Sequence, residues 1–153
     1  MLVDGASGTK TWVPTFPKAR YLMGRVEFAH WRANHERPDM EAVFADSVKP
    51  VHDAGLVDLV ETEHRITNEI SLIPTIGHTP GHVSVAIESE GQHAVITGDI
   101  THHPCQLAHP EWTTSFDSDK ETATATRTQL FAEWADRPIL VIGTTMPRRQ
   151  LDA

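Results

Sequence analysis

Two short segments hold the residues best suited to chemistry. The first is Gly77-His78-Thr79-Pro80-Gly81-His82, a turn rich in glycine and proline that delivers a histidine to the first residue of the strand after it. The second is Thr97-Gly98-Asp99, where another strand ends on a carboxylate. Glycine lets the backbone come close to a neighbouring group, and a strand end fixes the side chain it presents. An imidazole and a carboxylate on neighbouring strand ends suit a divalent metal ion. The chain has 10 histidines, so clusters are worth seeking, because histidine is the commonest protein metal ligand and acid–base group. His102-His103 follows Asp99 closely and reads either as a pair near a pocket or as an exposed loop pair. His30, His35, His52, His64, His93 and His109 stand apart from these motifs and are expected at the surface.

The elements that must position these groups can be read from periodicity. Residues 1–17 form an irregular lead-in, Ala19 to Met23 a short strand, and Arg25 to His35 a helix with Phe28 and Trp31 on one face. Pro38-Asp39 starts a second helix, in which Met40, Val43, Phe44 and Val48 follow helical spacing. Leu56 to Val60, Ile66 to Ile73 and His82 to Glu88 read as strands, and in the last of these Val83, Val85 and Ile87 alternate with their neighbours. Glu90-Gly91 signals a turn into an apolar strand, Ala94 to Ile96. Thr101 to Phe116 is a loop rich in aromatic residues and histidine. Ser118 with Glu121 makes a capping box for a helix whose face carries Ala123, Arg127, Leu130, Phe131 and Trp134. Pro138 stops it, and Ile139 to Ile142 is a last buried strand. The fold class is α/β with a mixed sheet.

Composition narrows the field. A net charge of -8 argues against a nucleic-acid partner, which needs clustered Lys and Arg. No apolar run approaches the roughly 20 residues of a membrane span, and the opening residues show no secretory leader. Cys105 is the one cysteine, so no internal disulfide is possible, and a cytoplasmic location fits. Cys105 has no motif partner and reads as an inert, buried thiol.

Gly-His-Thr-Pro-Gly-His followed by Thr-Gly-Asp resembles the second half of the metallo-β-lactamase superfamily. The continuation from Asp99 to Gln106, then Pro110-Glu111-Trp112 and Phe116-Asp117-Ser118-Asp119, resembles the branch of acyl-homoserine-lactone lactonases and organophosphate hydrolases. Trp12 to Pro17 and on to Trp31 resembles the segment that follows that branch's first metal motif. The resemblance implies one partial domain over residues 1–153, the C-terminal half of an αββα sandwich. It implies His82 as a metal ligand and Asp99 as the carboxylate bridging two metals, with His78 structural and His102 and His103 near the pocket. It also implies two divalent ions per intact site, usually zinc, that activate water against a small ester, lactone or phosphotriester. Homodimers are common in that branch.

The chain departs from the pattern in two places. The first metal motif, His-x-His-x-Asp-His, is absent and is expected upstream of residue 1. After Val141-Ile142-Gly143-Thr144, where the family has its last histidine ligand, this chain has Thr145, a poor zinc ligand. Only weak or partial metal binding is therefore expected, with no catalysis by these residues alone. The competing expectation is a non-catalytic remnant or binding module of the same fold.

Overall fold

The computed structural model describes residues 1–4, 10–34 and 41–144. The expected helix start at Pro38-Asp39, His35, Met40, Thr145 and the tail from Met146 lie outside the described residues. The chain divides into two compact units, Met1–Val60 and Glu61–Ala153.

In the first unit, strands β1 (Leu2–Asp4) and β2 (Lys10–Trp12) pair antiparallel. Strand β3 (Tyr21–Gly24) pairs in parallel with β4 (Val57–Val60). The connection runs through α1 (Arg25–Asn34), α2 (Glu41–Val43), a π-helical turn (Phe44–Val48) and α3 (Lys49–Asp53). Pro50 explains the widened turn: it has no N–H to give the carbonyl four residues back, and its ring crowds that carbonyl. Phe28 is buried on α1 and stacks on His52, with ring centroids 5.3 Å apart. Trp31 is half-buried and donates its indole N–H to Glu27.

The second unit holds a four-stranded sheet in the order β5 (Ile70–Pro74), β6 (Val83–Ser89), β7 (Gln92–Ile96), β8 (Ile139–Ile142). The first two pairings are antiparallel and the last is parallel, which gives the expected mixed sheet. The β6–β7 turn falls at Glu90-Gly91, both with positive φ, the backbone a two-residue hairpin needs. Between β7 and β8 lie a 3-10 turn (Gly98–Ile100), a short helix α4 (Cys105–Ala108) and the long helix α5 (Lys120–Trp134).

Four expectations are corrected here. The lead-in 1–17, expected to be irregular, holds the antiparallel pair β1 and β2. The strand expected from Ile66 begins only at Ile70, because Thr67 Oγ1 accepts from the N–H groups of Glu69 and Ile70 and closes a turn. Helix α5 is capped by Asp119 rather than Ser118. The Asp119 carboxylate accepts from the Thr122 N–H at 3.0 Å, while the Ser118 N–H goes to the His78 carbonyl. Strand β8 is not buried throughout. It lies at the end of the sheet order and alternates, with Leu140 at 64% exposure.

The register sorts the sheet's side chains onto two faces. Ser71, Ser84, Ala86, Val95 and Ile139 share one face, and Trp134 of α5 lines a cavity with Ile73, Ala86, Val95 and Ile139. Ile70, Leu72, Val85, Ile87, Ala94, Ile96, Leu140 and Ile142 share the other. Every one of those eight is apolar, yet none is buried. Apolar residues that alternate onto a common face are normally covered by a second layer.

Candidate metal centre

The turn Gly77–His82 is pinned at both ends. Gly77 has a φ of +127°, and a Cβ there would sit 2.3 Å from the backbone nitrogen of Ala123, so only glycine lets the turn press onto the start of α5. The Asp119 N–H donates to the Gly77 carbonyl at 3.0 Å and fixes that contact. At the other end, Gly98 has a φ of +60°, and a Cβ there would meet His82 Nε2 at 2.8 Å. Both glycines therefore exist for close approach, as their motifs suggested.

The tautomer of His82 follows from its partners. The Asp99 backbone N–H donates to His82 Nε2 at 2.9 Å, so Nε2 carries a lone pair and Nδ1 carries the hydrogen. Nδ1 faces Thr75 Oγ1 at 2.8 Å and the Thr75 carbonyl at 3.1 Å. Ser84 Oγ donates to the Thr97 carbonyl at 2.8 Å, so the Thr75 hydroxyl must donate to Ser84 Oγ, 3.0 Å away. Thr75, Ser84 and Thr97 are fully buried. A neutral imidazole with its Nε2 lone pair beside Asp99 is the state a metal ligand needs, held by donors behind it. These three hydroxyl residues were missed from the sequence. Their signal was small hydroxyl residues in, or immediately after, otherwise apolar strands.

His78 sits in a different network. Its Nδ1 lies 3.3 Å from Asp117 Oδ1, and its Nε2 lies 4.0 Å from Asp99 Oδ2. Asp117 is buried and accepts from Arg127 Nη1 at 3.3 Å and from the Thr114 N–H at 3.2 Å. The fully buried Arg127 also donates to the carbonyls of Ile100, Pro110 and Trp112, so one guanidinium ties α5 to the loop after Asp99. Gln106 acts similarly: its side-chain carbonyl accepts from the His102 N–H and its amide donates to the Trp112 carbonyl. His102 packs edge-on against His78, with centroids 5.0 Å apart, and faces Phe116 at 6.2 Å. Burial pushes the His102 imidazole below its usual range, and His78 adds to the shift, against the opposing pull of Asp99 and Asp117.

The structure thus brings His78, His82, Asp99, His102 and Asp117 into one neighbourhood. His103 is not part of it. It is exposed, and its Nδ1 accepts from the Cys105 N–H at the start of α4. Cys105 is half-buried. His78, His102 and Asp117 each offer a ligand atom within 4.8 Å of the others, a partial His/Asp group of the kind that holds a metal ion. His82 and Asp99 fit a divalent metal in donor type, but the His82 lone pair is engaged by the Asp99 N–H.

The sequence pattern of the metallo-beta-lactamase superfamily matches residues 6–134, which runs through both compact units. The chain belongs to the metallo-β-lactamase superfamily. Solved structures of the superfamily share its mixed α/β fold. The hydrolase AbOPH is 25% identical with a TM-score of 0.75, over 86% of this chain and 49% of that one. AidC, described as a dizinc quorum-quenching lactonase, is 21% identical with a TM-score of 0.74, over 88% and 50%. A probable metal-dependent hydrolase from Staphylococcus aureus is 21% identical with a TM-score of 0.73, over 95% and 52%. The chain therefore spans about half the length of these superfamily members. No curated protein matches it. No helix among the described residues is long and apolar enough to cross a membrane.

Proposed function

We propose that the chain is the C-terminal part, a single partial domain, of a metal-dependent hydrolase of small esters, lactones or phosphotriesters, and that these 153 residues alone are not catalytic. The observation that carries this reading is the buried hydroxyl relay from Thr97 through Ser84 and Thr75 to His82 Nδ1, which keeps His82 neutral beside Asp99. His82 and Asp99 would hold metal, and Asp99 would join two ions. When bound, such ions acidify a water molecule and polarise the scissile carbonyl or phosphoryl oxygen. The Asp99 carboxylate, on the 3-10 turn after β7, is half-exposed and so open to such an ion. The lactonase AidC, solved with a homoserine product, supports lactone or ester substrates, and zinc is the metal named for it. The lone cysteine supports a reducing, cytoplasmic setting.

One observation favours a second reading, a non-catalytic remnant or binding module: His82 Nε2 already accepts a 2.9 Å hydrogen bond that a metal would have to displace. Initial rates on a lactone and an aryl phosphotriester separate the two. The chain alone should not exceed a metal-only control. Joined to an upstream half bearing His-x-His-x-Asp-His, and with Thr145→His, it should turn over in a metal-dependent way. Asp99→Ala in that form should abolish turnover. Activity in the chain alone, or none in the restored form, would overturn the proposal.

A further inference from the structure

We infer that the chain carries a single transition-metal site of its own at His78, His102 and Asp117, distinct from the His82/Asp99 pair and independent of the hydrolytic reading. The geometry between His78 and Asp117 points to it. Their facing atoms, Nδ1 and Oδ1, are 3.3 Å apart. That is long for a hydrogen bond to a carboxylate, which closes to about 2.7–2.9 Å when charge assists it. The spacing that holds this long hydrogen bond also matches the ligand–ligand edge of a tetrahedral site: an ion about 2.1 Å from each atom would subtend roughly 104°. His102 supplies a third donor, with its ligand atom within 4.8 Å of the other two.

The surroundings suit such an ion. Asp117 is held from behind by Arg127 and the Thr114 N–H, both on Oδ2, which leaves Oδ1 directed at His78. Metal on His78 Nδ1 moves the ring hydrogen to Nε2. Asp99 Oδ2 lies 4.0 Å from that nitrogen, so a short side-chain movement makes the carboxylate–histidine–metal arrangement common in metal sites. Two imidazoles and one carboxylate favour zinc, cobalt or nickel over magnesium or calcium. The buried Arg127 cation beside Asp117 opposes the bound charge, so the ion is held weakly and exchanges on dialysis.

Zinc chloride titrated into the uniformly ¹⁵N-labelled chain, followed by long-range ¹H–¹⁵N spectra of the imidazoles, tests the site without relying on activity. The expected result is conversion of His78 from the Nδ1–H to the Nε2–H tautomer. A nitrogen of His102 should shift in step, and neither nitrogen of His82 should shift. Cobalt(II) absorption gives a second arm: tetrahedral bands should saturate at one ion per chain. His102→Gln should weaken cobalt binding about tenfold or more, as loss of a ligand-shell group does. Magnesium should produce neither change. The inference is overturned if His82 is the ring that takes the metal, if no imidazole responds to zinc, or if His102→Gln binds cobalt like the parent chain.

Discussion

His78 and His82 leave the same six-residue turn and meet opposite surroundings. His82 is clamped between a backbone N–H and a row of fully buried hydroxyl residues, with these three hydrogen bonds at or below 3.1 Å. His78 sits between two carboxylates at 3.3 and 4.0 Å, and the nearer one leans on a buried arginine. The tight side fixes which nitrogen carries the hydrogen. The loose side leaves room. A site that must hold a ligand in one tautomer and still admit an ion needs both kinds of support.

The largest effect should come from the loose side. Arg127→Met strips the buried Asp117 carboxylate of its cation and removes a donor from three backbone carbonyls, of which Trp112 keeps the Gln106 amide, and breaking a buried pair on one side costs about 3–5 kcal/mol. Urea unfolding followed by tryptophan fluorescence should show that loss. A change below the surface-substitution range would mean the network is structural ornament. The tight side should lose less. Ser84→Ala removes the middle of the hydroxyl relay and leaves the Thr75 hydroxyl and Thr97 carbonyl short of a partner, a cost of about 1–3 kcal/mol. The His82 ring should then lose its strict Nδ1–H preference in imidazole ¹⁵N spectra, and an unchanged tautomer would show that the Thr75 carbonyl alone holds it.

The smallest effect lies at the cap of α5, which supports both sides. Hydrogen bonds from the Thr122 backbone and side chain hold the Asp119 carboxyl below its usual pKa. A lowered folded pKa means that its stabilisation is complete above the unfolded value and fades as pH falls below about 4. Asp119→Ala should lower the melting temperature modestly at neutral pH and flatten its acid dependence in that window. Equal acid sensitivity in parent and variant would place the acid response elsewhere.

The sequence showed some of this and hid the rest for physical reasons. Gly77, His82, Gly98 and Asp99 stood out because close backbone approach needs glycine and because an imidazole and a carboxylate suit a metal ion. The mixed sheet was legible from alternation, and its strand ends held within a few residues. Asp117 and Arg127 were invisible as a pair, because 10 positions of loop and helix separate them and only folding buries both. Thr75, Ser84 and Thr97 looked like ordinary strand polar residues until their shared face was known. The cap moved from Ser118 to Asp119 because both can cap, and the Ser118 N–H is drawn to the His78 carbonyl instead. The exposed edge of β8 could not be read from Ile-Leu-Val-Ile, which is apolar on both faces.

The central claim is that these residues hold only part of a dinuclear centre, and metal content tests it most directly. The chain, purified in the presence of excess zinc and dialysed against metal-free buffer, should retain less than one equivalent by elemental analysis. Two firmly held ions per chain would contradict the account, because the missing ligands would then have to come from residues other than those assigned here.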